Sequence, residues 1–146
     1  MSPNLLTNEG AESLIDRNVD WIADTIKAMA CSNVFVADRN KQFIDEGGAS
    51  DAVDARIAGT TDQTIPSRSI GKDTTNNFIY LLGGSVTFTG VPSGTITQIV
   101  IYKSTGIDTT SKILTVLDIP DTVANGGDIT INFANAAAGG IIRLNT

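Results

Sequence analysis

The sequence predicts a mainly β protein, an antiparallel β-sandwich or barrel with one N-terminal amphipathic helix. Three observations support this class. After residue 77, short apolar runs recur roughly every ten to fifteen residues, and Gly, Pro or Asn turns separate them. Charged residues make up only 18% of the chain, and Gly, Thr, Ser and Asn, which suit strands and tight turns, take their place. A helical period of useful length occurs only near the N-terminus.

The N-terminal helix is predicted over residues 8–30. Asn8 is the expected N-cap, and Glu9 and Glu12 place negative charge in the first turn, where the helix dipole favours it. Apolar residues at spacings of three and four form one stripe of a 3.6-residue period. These residues are Ile15, Val19, Ile22, Ile26 and Met29.

The middle of the chain, residues 33–77, gives weaker signals. Residues 33–37 and 54–60 are interpreted as short strands, residues 45–51 as a loop, and residues 71–74 as a turn. The length of 146 residues is that of one domain. We therefore expect residues 1–146 to form a single domain, with an N-terminal arm and helix at 1–32 and a β-rich body at 33–146.

The C-terminal half is predicted to consist of strands. The expected strands are residues 78–82, 85–89, 95–102, 112–119, 128–133 and 141–144, with a turn signal at Pro120 and another at residues 125–127. Residues 99–101 and 113–117 are apolar on both faces. We expect such strands to be covered twice, by a second sheet, the helix or a partner chain.

The charge of the chain argues against two classes of partner. The net charge is −6, and the ten Lys and Arg residues form no cluster. A nucleic-acid partner or an anionic membrane surface would require a basic patch, so we expect neither. The N-terminus has no basic region followed by a long apolar core, and no apolar run approaches the roughly 20 residues that span a bilayer, so neither a secretory signal nor a membrane segment is expected.

The residue types predict a protein that is not an enzyme and holds no cofactor. The chain contains no histidine and one cysteine, Cys31, so it cannot form a Ser-His-Asp triad, a Cys-His pair or a zinc site of Cys and His ligands. Cys31 is interpreted as a buried free thiol at the end of the helix, with an interchain disulfide as the alternative. A hydrolase that uses paired carboxylates is kept as a third hypothesis.

Acidic residues suggest two further features. Asp45, Glu46, Asp51 and Asp54 surround glycines, and Asp118, Asp121 and Asp128 lie near turns. Calcium is bound by such groups, but neither set has the EF-hand spacing, so we interpret both as solvated loop acids and expect no metal site.

The second feature is a set of candidate interface residues. Glu12, Asp16, Asp20 and Asp24 recur every four residues, which would form an acidic ridge on the predicted helix. This ridge either docks on a basic partner or is a solvated face. Trp21 lies beside the apolar stripe, and it either packs in the core or contacts a neighbouring subunit, because Trp is enriched at interface centres.

The order of strands and turns in the C-terminal half carries a family resemblance. Residues 85–89, 99–103, 113–118 and 125–131, together with the Gly-Ile-Ile-Arg-Leu segment at 140–144, resemble small virion structural proteins of tailed bacteriophages. The resemblance implies a non-enzymatic capsid decoration or cement protein that binds the major capsid protein and assembles with itself, often as a trimer. It implies synthesis in the host cytoplasm and a final location on the capsid surface of the virion. The alternative is a receptor-binding or glycan-binding module of a tail fibre or tail tip.

Overall fold

The computed structural model describes residues 5–145. Residues 1–4 of the predicted N-terminal arm, and Thr146, lie outside the described part. Strands account for 38% and helices for 12% of the chain, which confirms the mainly β class with one helix near the N-terminus. The elements are β1 (Leu5–Leu6), α1 (Asn8–Ile15), β2 (Ile26–Cys31), β3 (Gln63–Thr64), β4 (Ser69–Asp73), β5 (Phe78–Leu82), β6 (Val86–Phe88), β7 (Thr95–Lys103), β8 (Lys112–Val123), β9 (Ile129–Ile131) and β10 (Ile142–Asn145), with short 3₁₀ turns at Val53–Ala55, Asp108–Thr110 and Ala136–Ala138.

The strands form three antiparallel sheets. The order in the largest is β1-β8-β7-β2-β3, in the second β10-β5-β4, and in the third β6-β9. One face of the five-stranded sheet packs against the two smaller sheets, as in a sandwich. Ile99 and Leu114 of the large sheet share this core with Phe88, Leu81 and Ile142 of the small ones.

The opposite face of the five-stranded sheet is covered by the irregular segment 32–56. Phe35, Ile44 and Ala52 of this segment pack on Val100 and Ile113 of the sheet. The strands at residues 99–101 and 113–117 are therefore covered on both faces, as predicted. The smaller sheets cover one face, and the irregular segment 32–56 covers the other. Since both faces are buried within the chain, these strands need no partner to shield them.

The predicted helix over residues 8–30 is wrong beyond Ile15. The helix begins after Thr7, whose Oγ1 accepts the amide of Gly10 at 2.9 Å, so Thr7 and not Asn8 is the N-cap. Residues 26–31 form β2, which pairs with β7 on one side and β3 on the other. Both faces of β2 are buried, and this long-range pairing overrides the apolar spacing that indicated a helix.

Smaller corrections concern the middle zone and one strand end. Residues 33–37 and 54–60 are not strands, and residues 71–73, predicted as a turn, belong to β4. The loop at residues 45–51 is confirmed. β8 continues past Pro120 to Val123, because this end of β8 pairs only with β7 and β1 reaches only Thr115 and Val116. A proline is tolerated where one side of a strand is unpaired.

Candidate functional site

An apolar cleft of about 440 Å³ lies between the α1–β2 connection and the three-stranded sheet. The volume falls within the range of about 300–1,000 Å³ that is usual for binding sites. Seven of its lining residues are apolar and two are charged. The lining residues are Leu14, Arg17, Val19, Asp20, Trp21, Ile70, Ile79, Leu81 and Leu144.

Strand register builds the sheet wall of the cleft. Ile70 of β4 lies opposite Leu81 of β5, and Ile79 of β5 lies opposite Leu144 of β10. Opposite residues of antiparallel strands share a face, as do residues two apart on one strand, so these four side chains lie on one face. β4 is the outer strand of this sheet. Its Ile70 side chain is 56% exposed, which leaves aliphatic surface open to solvent at the mouth of the cleft.

The opposite wall begins where α1 ends. The Asp16 carboxylate accepts the amide of Asn18 at 2.9 Å, and between them Arg17 has a left-handed backbone with φ of 66°. This reversal turns the chain back towards the helix, and the amide of Val19 donates to the carbonyl of Ser13 at 3.0 Å. Local side-chain hydrogen bonds of Asp and Asn compete with the helix and end it here.

Two side chains join the walls. Trp21 is only 2% exposed, and its indole Nε1 donates to the carbonyl oxygen of Leu82 at 3.0 Å. Arg68, just before β4, donates to the carbonyl oxygens of Trp21 at 2.6 Å and Asp24 at 2.6 Å. Its guanidinium also donates to the carbonyls of Ile22 and Ile65. Arg68 was not predicted from the sequence, because its acceptors are backbone groups that leave no sequence signal.

The structure separates the acidic residues of the predicted ridge. Glu12 lies on α1, but Asp16 and Asp20 lie in turns, where the Asp20 carboxylate accepts the amides of Ile22 and Ala23. Asp24 forms a salt bridge with Lys103 at 3.0 Å. Its partial burial opposes ionisation, but hydrogen bonds from the Asp20 amide and Lys103 prevail and lower the pKa of Asp24.

Of the five candidate interface residues, only Asp20 and Trp21 line the cleft. The other three, Glu12, Asp16 and Asp24, are not among its lining residues. An interface role for each of the five stays a prediction. The helical ridge itself does not exist, because α1 ends at Ile15.

Comparisons with family models, curated proteins and solved structures found no match for this chain. The interpretation of the cleft therefore rests on its own residues. No helix within residues 5–145 is long and apolar enough to cross a membrane.

Two exposed cations lie at the cleft or on the sheet face that forms its wall. Arg17 lines the cleft, and Lys72 of β4 lies opposite Ile79, on the same face as Ile70. Both side chains are exposed, and neither forms a salt bridge with any residue that the structure describes. Asp20, the acid in the lining, receives hydrogen bonds from two backbone amides.

A second, polar groove of about 360 Å³ surrounds Tyr102. The Asp62 carboxylate accepts two hydrogen bonds from Arg56, at 3.0 and 2.9 Å, and one from the Tyr102 hydroxyl at 2.6 Å. Burial, reinforced by Asp62, raises the pKa of Tyr102 well above its usual range. Arg56, Asp62 and Tyr102 thus satisfy one another's hydrogen bonds.

Two of the acids weighed as calcium ligands, Glu46 and Asp51, contact the ammonium group of Lys41. Asp51 is fully buried, so the prediction that these loop acids are solvated is wrong for this residue. Lys41 Nζ lies 2.5 Å from Asp51 Oδ1 and 3.4 Å from Glu46 Oε2, and the amides of Glu46 and Gly48 both donate to Asp51 Oδ2 at 2.8 Å. Lys41 of the chain itself therefore supplies the positive charge that pairs with the carboxylates of Glu46 and Asp51. Among the described residues, no group of three or more His, Cys, Asp or Glu side chains is arranged to hold a metal ion.

Cys31 is a buried free thiol, as predicted, although it ends strand β2 and not a helix. It lies under the irregular segment 32–56, where its Sγ is 3.6 Å from the carbonyl oxygen of Ala52. Burial raises the pKa of Cys31 to about 12. A thiol with so high a pKa is a poor nucleophile at neutral pH.

Proposed function

We propose that this chain is a non-enzymatic virion structural protein, a decoration or cement protein on the head of a tailed bacteriophage. In this role the cleft beside β4 contacts the major capsid protein. The observation that carries the proposal is the open apolar cleft, since clustered aliphatic surface on a folded protein marks an interaction site. Three strongly exposed isoleucines either line the cleft or are next in sequence to a lining residue. Ile70 (56% exposed) lines it, and Ile15 (81%) and Ile22 (50%) follow the lining residues Leu14 and Trp21.

The reactive groups of the chain support a structural role. The chain has no histidine, and its one thiol is buried with a pKa of about 12. The most perturbed hydroxyl, that of Tyr102, donates to a carboxylate that Arg56 also holds. Catalysis uses groups with pKa values near the working pH, and these groups lie far from it.

The size of the molecule suits attachment to a shell. The described chain has an accessible surface of 7,414 Å², so a standard contact of about 800 Å² per partner would use about a tenth of it. A sandwich whose central sheet is covered on both faces is rigid, and rigid partners lose less entropy on binding. Repetition over a shell, and assembly of the chain with itself as a trimer, would add avidity to modest contacts.

The test is the composition of purified particles. We expect mass spectrometry of intact virions to find the chain at a fixed ratio to the major capsid protein, with label on the head in electron micrographs. Absence from particles, or only a few copies, would reject the cement role.

Matched variants connect the role to the cleft. We expect Ile70→Asp to lose particle binding, because it places a charge at the mouth of the cleft, while Val123→Asp, at a residue 72% exposed that does not line the cleft, keeps it. Both proteins must first show native melting curves. Equal binding by the two variants would remove the cleft from the interface.

A receptor-binding or glycan-binding module of a tail fibre or tail tip is the second candidate. The observation that favours it is the polar groove, where Arg56, Asp62 and Tyr102 converge with Lys27 and Asp108 at its rim. Sugar sites combine such polar groups with an aromatic ring. We expect this role to give a few copies per particle, located on the tail, and loss of adsorption to cells in a Lys27→Ala variant.

A further inference from the structure

Building on the proposed function, we propose what occupies the cleft. The occupant is an extended segment of a partner protein, rich in aliphatic residues and carrying carboxylates, which adds to the sheet as a strand beside β4. Recognition would combine backbone hydrogen bonds along the strand with side chains placed in the cleft.

The open edge of β4 lies at the cleft. β4 is the outer strand of its sheet, and within the described chain the backbone of residues 69–73 pairs only with β5. The unpaired N–H and C=O groups of such an edge are a template for another strand. Because Ile70 belongs to this strand and also lines the cleft, alternate side chains of an added strand would reach the cleft face beside it.

The charges on the cleft face define the chemistry of the segment. Arg17 and Lys72 are exposed there without salt bridges among the described residues, although the whole chain has a net charge of −6. A segment with carboxylates between aliphatic residues would neutralise these two cations and fill the apolar lining. A basic segment would leave both unpaired and bring like charges together.

The backbone at Arg17 sets where this cation lies. Arg17 is one of three non-glycine residues in the described chain with positive φ. This conformation is unfavourable for a side chain with a Cβ, and it persists where the surroundings impose it, often at binding sites. Here it places the guanidinium in the lining of the cleft.

The same features argue against a second copy of this chain as the occupant. A lysine on an exposed edge strand is a common device against self-pairing. Lys72 stands on the open edge of β4 and would approach its own copy if two β4 strands paired near this residue. The same lysine would attract a segment that is rich in carboxylates.

The first test uses the full chain labelled with ¹⁵N and two peptides of about six residues, the usual strand length. One alternates valine with glutamate, and the other alternates valine with lysine. We expect the acidic peptide to shift the amide signals of residues 69–73 and to bind at least tenfold more tightly than the basic one. Equal binding of the two peptides, or shifts that avoid β4, would overturn the proposal.

A matched pair of variants tests the role of charge. We expect Arg17→Glu to weaken binding of the acidic peptide about tenfold, while Arg39→Glu, the same change at an exposed arginine outside the cleft, leaves it unchanged. An equal loss in both variants would mean that only net charge matters, and the proposal would fail.

Crosslinking in assembled particles separates this inference from the proposed function. With a photoreactive amino acid in place of Ile70, we expect a crosslink to an acidic, aliphatic segment of another virion protein. A crosslink to a second copy of this chain would overturn the inference and leave the cement role intact. If the chain were absent from particles, the cement role would fail, and the peptide titration would still decide the inference.

Discussion

Asp51 provides the sharpest test of how the loop at residues 45–54 is held. Its side chain is fully buried, and it accepts hydrogen bonds from Lys41 Nζ at 2.5 Å and from the amides of Glu46 and Gly48 at 2.8 Å. In Asp51→Asn, the remaining oxygen can satisfy the two amides, but an NH₂ group then faces the ammonium of Lys41. The variant therefore loses a charge-assisted hydrogen bond and weakens two others.

The expected destabilisation is about 2–3 kcal/mol. A hydrogen bond to a charged group contributes about 1.5–3 kcal/mol, and removing one partner of a buried pair costs about 3–5 kcal/mol. Lys41 is 24% exposed and keeps Glu46 as a neighbour, so it can regain some hydration, which lowers the estimate. Asp45→Asn, in the exposed turn of the same loop, should change the stability by no more than about 0.5 kcal/mol.

The effect should depend on pH in a defined direction. Burial alone would raise the pKa of Asp51, but the hydrogen bonds from Lys41 and the two amides prevail and hold it below its ordinary value of 3.8. A lowered pKa in the folded state gives stability that is present above the ordinary value and is lost as pH falls through the folded value. The gap between wild type and Asp51→Asn should therefore be full at pH 7 and shrink below about pH 4.

Urea unfolding followed by the fluorescence of Trp21, the one tryptophan of the chain, measures this gap. Equal stability of Asp51→Asn and wild type at pH 7, or an equal gap at pH 3 and pH 7, would contradict the role assigned to the Asp51 carboxylate. A loss in Asp45→Asn as large as that in Asp51→Asn would equally show that burial does not set the effect.

Three further predictions concern the packing around α1 and β2. In Gly10→Ala the new Cβ would clash with the carbonyl oxygen of Leu114, so the variant should melt at a lower temperature although alanine favours helices by about 1 kcal/mol; a higher melting temperature would contradict this contact. Cys31, with a pKa of about 12, should react with a thiol reagent at pH 8 only as urea unfolds the chain, and rapid labelling of the native protein would show that segment 32–56 opens. Trp21→Phe removes the hydrogen bond to the Leu82 carbonyl and should cost about 2 kcal/mol, measured by circular dichroism in urea; a change under about 0.5 kcal/mol would count against its role in joining the walls.

The C-terminal strands could be predicted because their signals are local. Residues 78–82 form β5 as expected, and Val86–Phe88 lies inside the predicted run at 85–89. Each run is short, rich in β-branched or aromatic residues, and bounded by Gly, Pro or Asn. Such patterns depend on neighbours in sequence, which a single sequence contains.

The error at residues 16–30 has a physical cause. Lys27, Ala28, Met29 and Ala30 are good helix formers, and the apolar spacing matched a helix. What decides their structure is pairing with β7, from Ile26 opposite Lys103 to Cys31 opposite Gln98, across about seventy residues of sequence that no local pattern can represent. The turn-forming Asp16, Asn18 and Asp20 were visible in the sequence and were the better local guide.

The cleft could be anticipated only in part. Trp21 was identified as either a core or an interface residue, and it is buried while also lining the cleft. Ile70, Ile79 and Leu144 come together only through the register of β4, β5 and β10. Because strand pairing sets the register, and the identity of these three residues does not, no sequence pattern indicates that they share a wall.

The hydrogen bonds of Arg68 affect the rate at which a partner could bind the cleft. Its guanidinium donates to four carbonyl oxygens, and three of them, those of Trp21, Ile22 and Asp24, belong to the α1–β2 connection. These hydrogen bonds fix the connection before a partner binds. A cleft that already has its bound conformation does not need to rearrange when a partner binds, so diffusion and orientation should set the association rate. Differences in affinity between partners should therefore appear in the dissociation rate.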